Sequence, residues 1–212
     1  MDTAKRIDKR TQRAWIGHPK LYIVDNSFKG FEEKINKVYS LVARSVGLPL
    51  PELNQKKYLL TDFKIPEDIK EERFTVEITY LKSEDLKERK LRKRTQNNLS
   101  KYTYSVKTRN PEGESVETLK ELSARNYQLL LEQKDEFRKF IIKERRCFIW
   151  EHQSFVIDTI VSCKDKTQIL RIDGIEEDFH LKLPPFCAIV REVSNDRDYS
   201  NLKFSERSEE RA

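Results

Sequence analysis

Two periods divide the chain. Over residues 31–46, Phe31, Ile35, Val38, Tyr39, Val42 and Val46 recur at helical spacing, and Gly47 stands where such a helix would stop. From residue 57 onward the pattern shortens towards alternation, and strands are predicted at 57–63, 74–81, 91–96, 101–109, 140–150, 154–161, 168–175 and 187–193. Asn97-Asn98 and Asn110-Pro111-Glu112-Gly113 are turn-like residues between such runs. Ser123 is placed to cap a helix over 124–133, whose Tyr127, Leu130 and Leu131 make its apolar stripe. The prediction is a mainly β (α+β) chain: an antiparallel barrel or strongly curved sheet of about eight strands, a few helices, and a helical appendage at the N-terminus. Leu48-Pro49-Leu50-Pro51 reads as a stiff connector, a new unit begins near Glu52, and residues 205–212 form a charged, frayed tail.

Alternation also assigns charges to faces. Arg92 and Arg94 project together from one predicted strand, as do Lys143 and Arg145 from another. Cations facing one way from several strands would make a concave positive surface that selects phosphate-like anions. The bland alternative is a solvated outer face, the usual fate of a Lys/Arg run on a strand. Within 140–150 the face of Arg145 also carries Cys147 and Ile149, whereas Arg146 shares its face with Phe148 and Trp150. Both faces are amphipathic, so alternation does not choose the inner one. The strand acids Glu77, Asp158, Asp173 and Glu192 either balance the cations or hold a divalent ion.

Composition narrows the classes. The 42 Lys+Arg against 36 Asp+Glu give a net charge of +6, a mild basicity that favours anionic partners without naming one. The five glycines form neither GxxxxGK[ST] nor GxGxxG, which excludes the commonest nucleotide-binding loops. His18, His152 and His180 accompany no nucleophile-elbow sequence, so a hydrolytic triad lacks support. Cys147, Cys163 and Cys187 are widely spaced and odd in number, against a disulfide framework or a zinc site and in favour of a reducing, cytoplasmic setting, with peripheral membrane attachment compatible. No apolar run reaches membrane-spanning length, and the N-terminus lacks a signal-peptide core. Aromatics do not interleave with the basic runs, so single-stranded nucleic acid ranks last among anionic partners.

The C-terminal run Glu192-Val193-Ser194-Asn195-Asp196-Arg197-Asp198-Tyr199-Ser200-Asn201 resembles the closing segment of the CYTH, or triphosphate tunnel, superfamily. Lys57-Tyr58-Leu59-Leu60, Leu91-Arg92-Lys93-Arg94, Ser105-Val106-Lys107, Lys143-Glu144-Arg145 and Phe155-Val156-Ile157-Asp158 fall in that fold's order. The resemblance implies a tunnel-type, eight-stranded antiparallel β-barrel over residues 52–204. Upstream, Arg13-Ala14-Trp15-Ile16-Gly17-His18-Pro19 and Ile23-Val24-Asp25-Asn26-Ser27 look like the end of a P-loop NTPase domain, making residues 1–47 its remnant. That order, with 116–123 and 143–148, resembles the TRPL translocation defect protein fourteen family, of which only the C-terminal part is present and the Walker A region is missing.

The resemblance implies phosphate-ligand binding by Lys57, Arg92, Arg94, Lys107, Lys143 and Arg145, with a nucleotide or phosphoinositide as ligand and a role in membrane-protein trafficking. Enzymatic tunnel proteins begin with ExExK, whose glutamates hold a divalent ion. With Lys57 on that lysine, Leu53 and Gln55 occupy the glutamate positions. A leucine cannot ligate a metal and an amide is a poor substitute for a carboxylate. Arg171 likewise stands in the late acidic pair beside Asp173, although Glu192 remains. Binding without turnover is therefore expected. The alternative is a triphosphatase using Glu77, Asp173 and Glu192 around Mg or Mn.

Overall fold

Strand alternation becomes an antiparallel sheet whose two faces have different chemistry. The computed structural model describes residues 2–18, 21–24, 30–46, 50–51, 55–83, 87–109, 115–173 and 181–207. In chain order these form α1 (Asp2–Trp15), α2 (Phe31–Ser45), β1 (Leu50–Pro51), β2 (Gln55–Phe63), β3 (Glu71–Tyr80), β4 (Glu88–Gln96), β5 (Leu99–Arg109), β6 (Ser115–Leu122), α3 (Ala124–Leu131), β7 (Ile141–Trp150), β8 (Gln153–Ile160), β9 (Gln168–Asp173), β10 (Cys187–Glu192), a 3-10 turn (Arg197–Tyr199) and α4 (Asn201–Phe204). All ten strands belong to one sheet in the order β1-β6-β5-β4-β3-β7-β8-β9-β2-β10.

The strand number corrects the predicted eight. A strand, β6, occupies residues that alternation alone did not mark, and the connector contributes the two-residue β1, giving nine strands of six to eleven residues plus a very short one. Among the described residues no ladder joins β10 to β1 or β6. At the edges, Pro51 in β1 has no N–H to donate, and the β10–β2 ladder shifts register between Ala188 and Ile189 and again between Ile189 and Arg191. The expectations at Gly47, Pro49, Glu52, Leu53 and Asn110 to Gly113 lie outside the described residues.

Local chemistry sets the turns. Asn97 and Asn98 join β4 to β5 with φ of 48° and 62°, the left-handed pair of a tight hairpin that asparagine tolerates well. Glu151 and His152 do the same between β7 and β8, at φ of 47° and 60°. Ser123 caps α3 as expected, accepting from the Asn126 backbone N–H at 3.2 Å.

Most of the apolar core lies outside the curve. Tyr58, Leu60, Phe148, Phe155, Ile157, Leu170, Ile172 and Cys187 cluster on the outer face of β7, β8, β9, β2 and β10, covered by Ile65, Ile69, Leu181, Leu183 and Phe186. Phe148 and Phe155 stack with centroids 5.6 Å apart and planes 12° from parallel. On the outer face of β3 to β6, α3 presents Tyr127 to Leu81 and Leu91. Phe204 of α4 packs near Val76, Ile78, Tyr80, Ile141 and Ile160, closing one end of the inner face. Ser205 is fully buried, and Arg138 donates to its hydroxyl at 2.8 Å, so the expected frayed tail begins with a packed residue.

The helical appendage divides its apolar residues. Leu41 of α2 is buried, whereas Phe31, Tyr39, Val42 and Val46 are exposed. Trp15 at the end of α1 is exposed and Ile16 is buried. No helix among the described residues is long and apolar enough to cross a membrane.

Phe148 has no exposed surface and two aromatic neighbours, Phe155 and Phe186. Phe148→Ala is expected to cost about 3–5 kcal/mol. Urea unfolding measures this as a lower midpoint at unchanged slope, and a loss below about 1 kcal/mol would show that the outer core tolerates the cavity.

Candidate functional site

The inner face is polar because ladder partners point the same way. Arg145 on β7 stands opposite Asp158 on β8, Val76 opposite both Lys143 and Arg94, Ile78 opposite Arg92, and Arg171 on β9 opposite Val156. This settles the alternation within β7: Arg145 and Cys147 face inward, and Phe148 belongs to the outer core. A cavity of about 690 Å³ lies against this face. Arg92, Arg94, Arg145, Arg171 and Lys101 line it from the sheet and Lys37 from α2, against the acids Asp173 and Glu121.

Asp158 organises the floor. Only 3% exposed, it accepts from Arg145 Nε at 2.6 Å and from its Nη2 at 2.8 Å, a two-pronged pair. Lys143 Nζ lies 3.4 Å from the same carboxylate and donates to Asn201 Oδ1 at 2.7 Å; Arg171 Nη1 approaches it at 3.9 Å. Burial alone would raise the Asp158 pKa, but Arg145 and Lys143 outweigh it and hold the carboxyl well below its ordinary range. Burial works against the charge on Arg145 too, and Asp158 more than compensates, raising it. Lys143 is less well matched: burial lowers it to about 8, with Asp158 opposing and Arg145 adding to the drop.

Two guanidinium groups are left with capacity to spare. The Nε atoms of Arg92 and Arg171 are buried with no hydrogen-bond partner among the described residues. Arg92 is pushed below its ordinary value first by burial and then by the neighbouring charge of Arg145. Arg94 is fixed differently, with its guanidinium 3.8 Å from the Phe74 ring centroid and Nη2 donating to Gln96 Oε1 at 2.7 Å. Cys147 also lines the cavity, and burial pushes its thiol up to about 11 although Arg145 and Arg171 pull the other way.

The structure thus brings Arg92, Arg94 and Arg145 onto one cavity wall, with Lys143 packed beneath. Lys57 stands opposite Arg171 in the ladder, and Lys107 opposite Glu88 and Glu117, both outside the cavity lining. Of the acids, Asp158 is the floor's counter-charge and Asp173 sits at the rim, paired with Arg171 at 3.2 Å and with the Gln55 amide. Glu77 alternates away from Val76 to the outer side and pairs with Lys93 at 3.1 Å. Glu192 is exposed on β10 opposite Tyr58 and accepts from Ser194.

These positions do not suit the divalent ion that a triphosphatase would require. Asp173 is occupied by Gln55 and Arg171, and Glu77 and Glu192 lie on other surfaces. Among the described residues no three His, Cys, Asp or Glu side chains gather in metal-binding geometry.

Sequence reasoning missed Arg171 as part of the cationic floor, having read it only as the loss of an acid. Its alternation with Asp173 across Ile172 was the available signal. It also missed Lys90, which alternates with Arg92 and is buried between Glu88 at 3.3 Å and Glu117 at 3.1 Å. The C-terminal run has a positional role that its residues spell out. The Val193 N–H donates to the Lys57 carbonyl at 2.8 Å, and Asp196 caps the 3-10 turn. Ser200 caps α4, and Asn201 reaches Lys143.

Solved structures share this fold. The crystal structure of the inorganic triphosphatase NE1496 is similar over 74% of this chain and 95% of its own, with a TM-score of 0.52 at 18% identity. A second structure of NE1496, described as a hypothetical protein, matches 72% of this chain and 98% of its own, again with a TM-score of 0.52 at 18% identity. The PH1819 protein of Pyrococcus horikoshii covers 60% of this chain and 80% of its own at 14% identity, with a TM-score of 0.43. No family model matches the chain, and no curated protein matches it in sequence.

Asp158→Asn would leave Arg145 and Lys143 buried without their counter-charge, at an expected cost of about 3–5 kcal/mol at neutral pH. Because the Asp158 pKa is depressed, its stabilisation is present above the ordinary carboxylate value of about 3.9 and is lost as pH falls below it. Lys143 acts in another window: lowered from 10.5 to about 8, it makes stability rise with pH between those values, because there the unfolded chain binds the extra proton. Denaturant midpoints measured across pH should lose the acid limb in Asp158→Asn and the alkaline rise in Lys143→Met. Unchanged profiles would contradict this electrostatic arrangement.

Proposed function

We propose that the chain is a CYTH-like phosphate-binding module whose ligand occupies the cavity over Arg92, Arg94, Arg145 and Arg171. The observation that carries this reading is the convergence of Arg92, Arg94, Arg145 and Arg171 on one cavity whose lining carries more cations than acids. Cations gathered in a partly desolvated site cost free energy, and a phosphate supplies several charged acceptors at once. Lys143 contributes from beneath by holding the floor, while Lys57 and Lys107 extend the positive field along the same face.

The ligand classes in this proposal are nucleotides and phosphoinositides, the second of which would bring peripheral membrane association. The quoted N-terminal residues support assigning residues 1–47 to the end of a P-loop NTPase domain ahead of a CYTH-like unit, and with it a role in membrane-protein trafficking. The triphosphatase activity named for NE1496 is the competing reading, and the scattered acids Glu77, Asp173 and Glu192 weigh against it.

Replacing Arg92 and Arg171 together by alanine is expected to weaken polyphosphate binding by at least about 100-fold, because each charge-assisted hydrogen bond is worth about 1.5–3 kcal/mol. Calorimetric titration with inorganic tripolyphosphate reads this directly, and unchanged affinity rejects the site. Phosphate release assayed with added Mg or Mn separates the readings further: release that disappears in Asp173→Asn would establish the enzyme instead.

A further inference from the structure

The cavity has a second wall of different chemistry. Beside the cationic floor, the N-terminal segment contributes His18, Leu21, Tyr22 and Ile23, and α2 contributes Leu41. Gly17 brings this segment close to the floor. At its φ of +78°, a Cβ would lie 3.1 Å from Glu72 Cβ and 3.3 Å from Phe74 Cε1, and 3.6 Å from Arg94 Nη2. The absence of a side chain therefore lets the segment reach the arginine that Phe74 stacks against.

From this juxtaposition we propose that the N-terminal segment is a specificity wall, selecting phosphate esters that carry a flat, ring-sized apolar body over inorganic polyphosphate. The proposal rests on the reading that the floor binds phosphate. A floor of guanidinium groups satisfies phosphate oxygens but offers nothing to an apolar ring. Leucine, isoleucine and tyrosine side chains offer contact area but no counter-charge. A ligand that uses both needs an anionic end and a body with an apolar face. The volume of about 690 Å³ falls within the range of roughly 300–1,000 Å³ that holds drug-sized organic ligands. An inositol phosphate fits this division poorly, because hydroxyl or phosphate groups surround its ring. A nucleoside phosphate fits it, because a base presents a flat face for stacking and hydrophobic contact. Gln153 and Ser154, also on the lining, supply polar groups for the edge of such a body.

Calorimetric titrations with adenosine triphosphate, inorganic tripolyphosphate and a soluble inositol trisphosphate, all in chelator-containing buffer, test the wall. Adenosine triphosphate should bind at least tenfold more tightly than the other two. Tyr22→Ala with Leu41→Ala should weaken adenosine triphosphate roughly tenfold, while tripolyphosphate stays within about twofold and so reports an intact fold. Tyr22→Ala alone, at a half-buried position, repeats the test without disturbing the buried Leu41. Equal affinity for adenosine triphosphate and tripolyphosphate in the unaltered chain overturns the proposal. So does tighter binding of inositol trisphosphate, or an equal loss of all ligands in the variants. Binding that ignores Arg92→Ala with Arg171→Ala overturns the phosphate floor itself, whereas binding that needs those arginines and ignores Tyr22 and Leu41 overturns only the wall.

Discussion

The inner face depends on one buried carboxylate. Asp158 lies where Arg145, Lys143 and Arg171 converge, and it offsets enough of their desolvation for β7 and β9 to turn cations inward. The compensation is partial. Arg145 receives a two-pronged partner, Lys143 shares what remains with Asn201, and Arg92 obtains no comparable contact from Asp158. A single carboxylate among several cations stabilises the fold while leaving the cavity positive.

That arrangement turns the usual plan of a small β protein inside out. In a filled barrel the interior is the apolar core, whereas here the large aromatic side chains Phe148 and Phe155 pack outside the curve. The covering pieces follow from this. The segment around Phe186 and helix α3 shield apolar faces that would otherwise meet water, and α4 closes the one end of the inner face that is apolar. The C-terminal run that carries the superfamily resemblance supplies that closure, through Val193, Ser200, Asn201 and Phe204.

Much of this was legible because alternation is a local property. All eight predicted strands are present, the one expected at 168–175 as far as Asp173, where the described residues stop, as are the α2 and α3 helices and the Asn97-Asn98 hairpin, with other ends displaced by a few residues. Strand β6 escaped because Ser115 to Leu122 mixes polar and apolar residues on both faces, and only its long ladder with β5 stabilises it as a strand. The choice of inner face in β7 could not be read either, because it depends on a partner thirteen positions away, Asp158, meeting Arg145. Glu77 and Glu192 looked equivalent to Asp173 along the chain, yet ladder register sends the first two elsewhere. The wall formed by His18, Tyr22 and Leu41 had no periodic signal, since a short irregular segment and a helix meet there only in three dimensions.

Cys147 shows what the cavity's electrostatics cannot do. Guanidinium groups beside a thiol ordinarily favour the thiolate, the form that attacks disulfides and takes up oxidants. Here burial prevails and pushes the thiol up to about 11, which favours the protonated form at neutral pH. A protonated sulfur on the cavity wall adds no negative charge there, so the positive field of the arginines is left for an incoming anion.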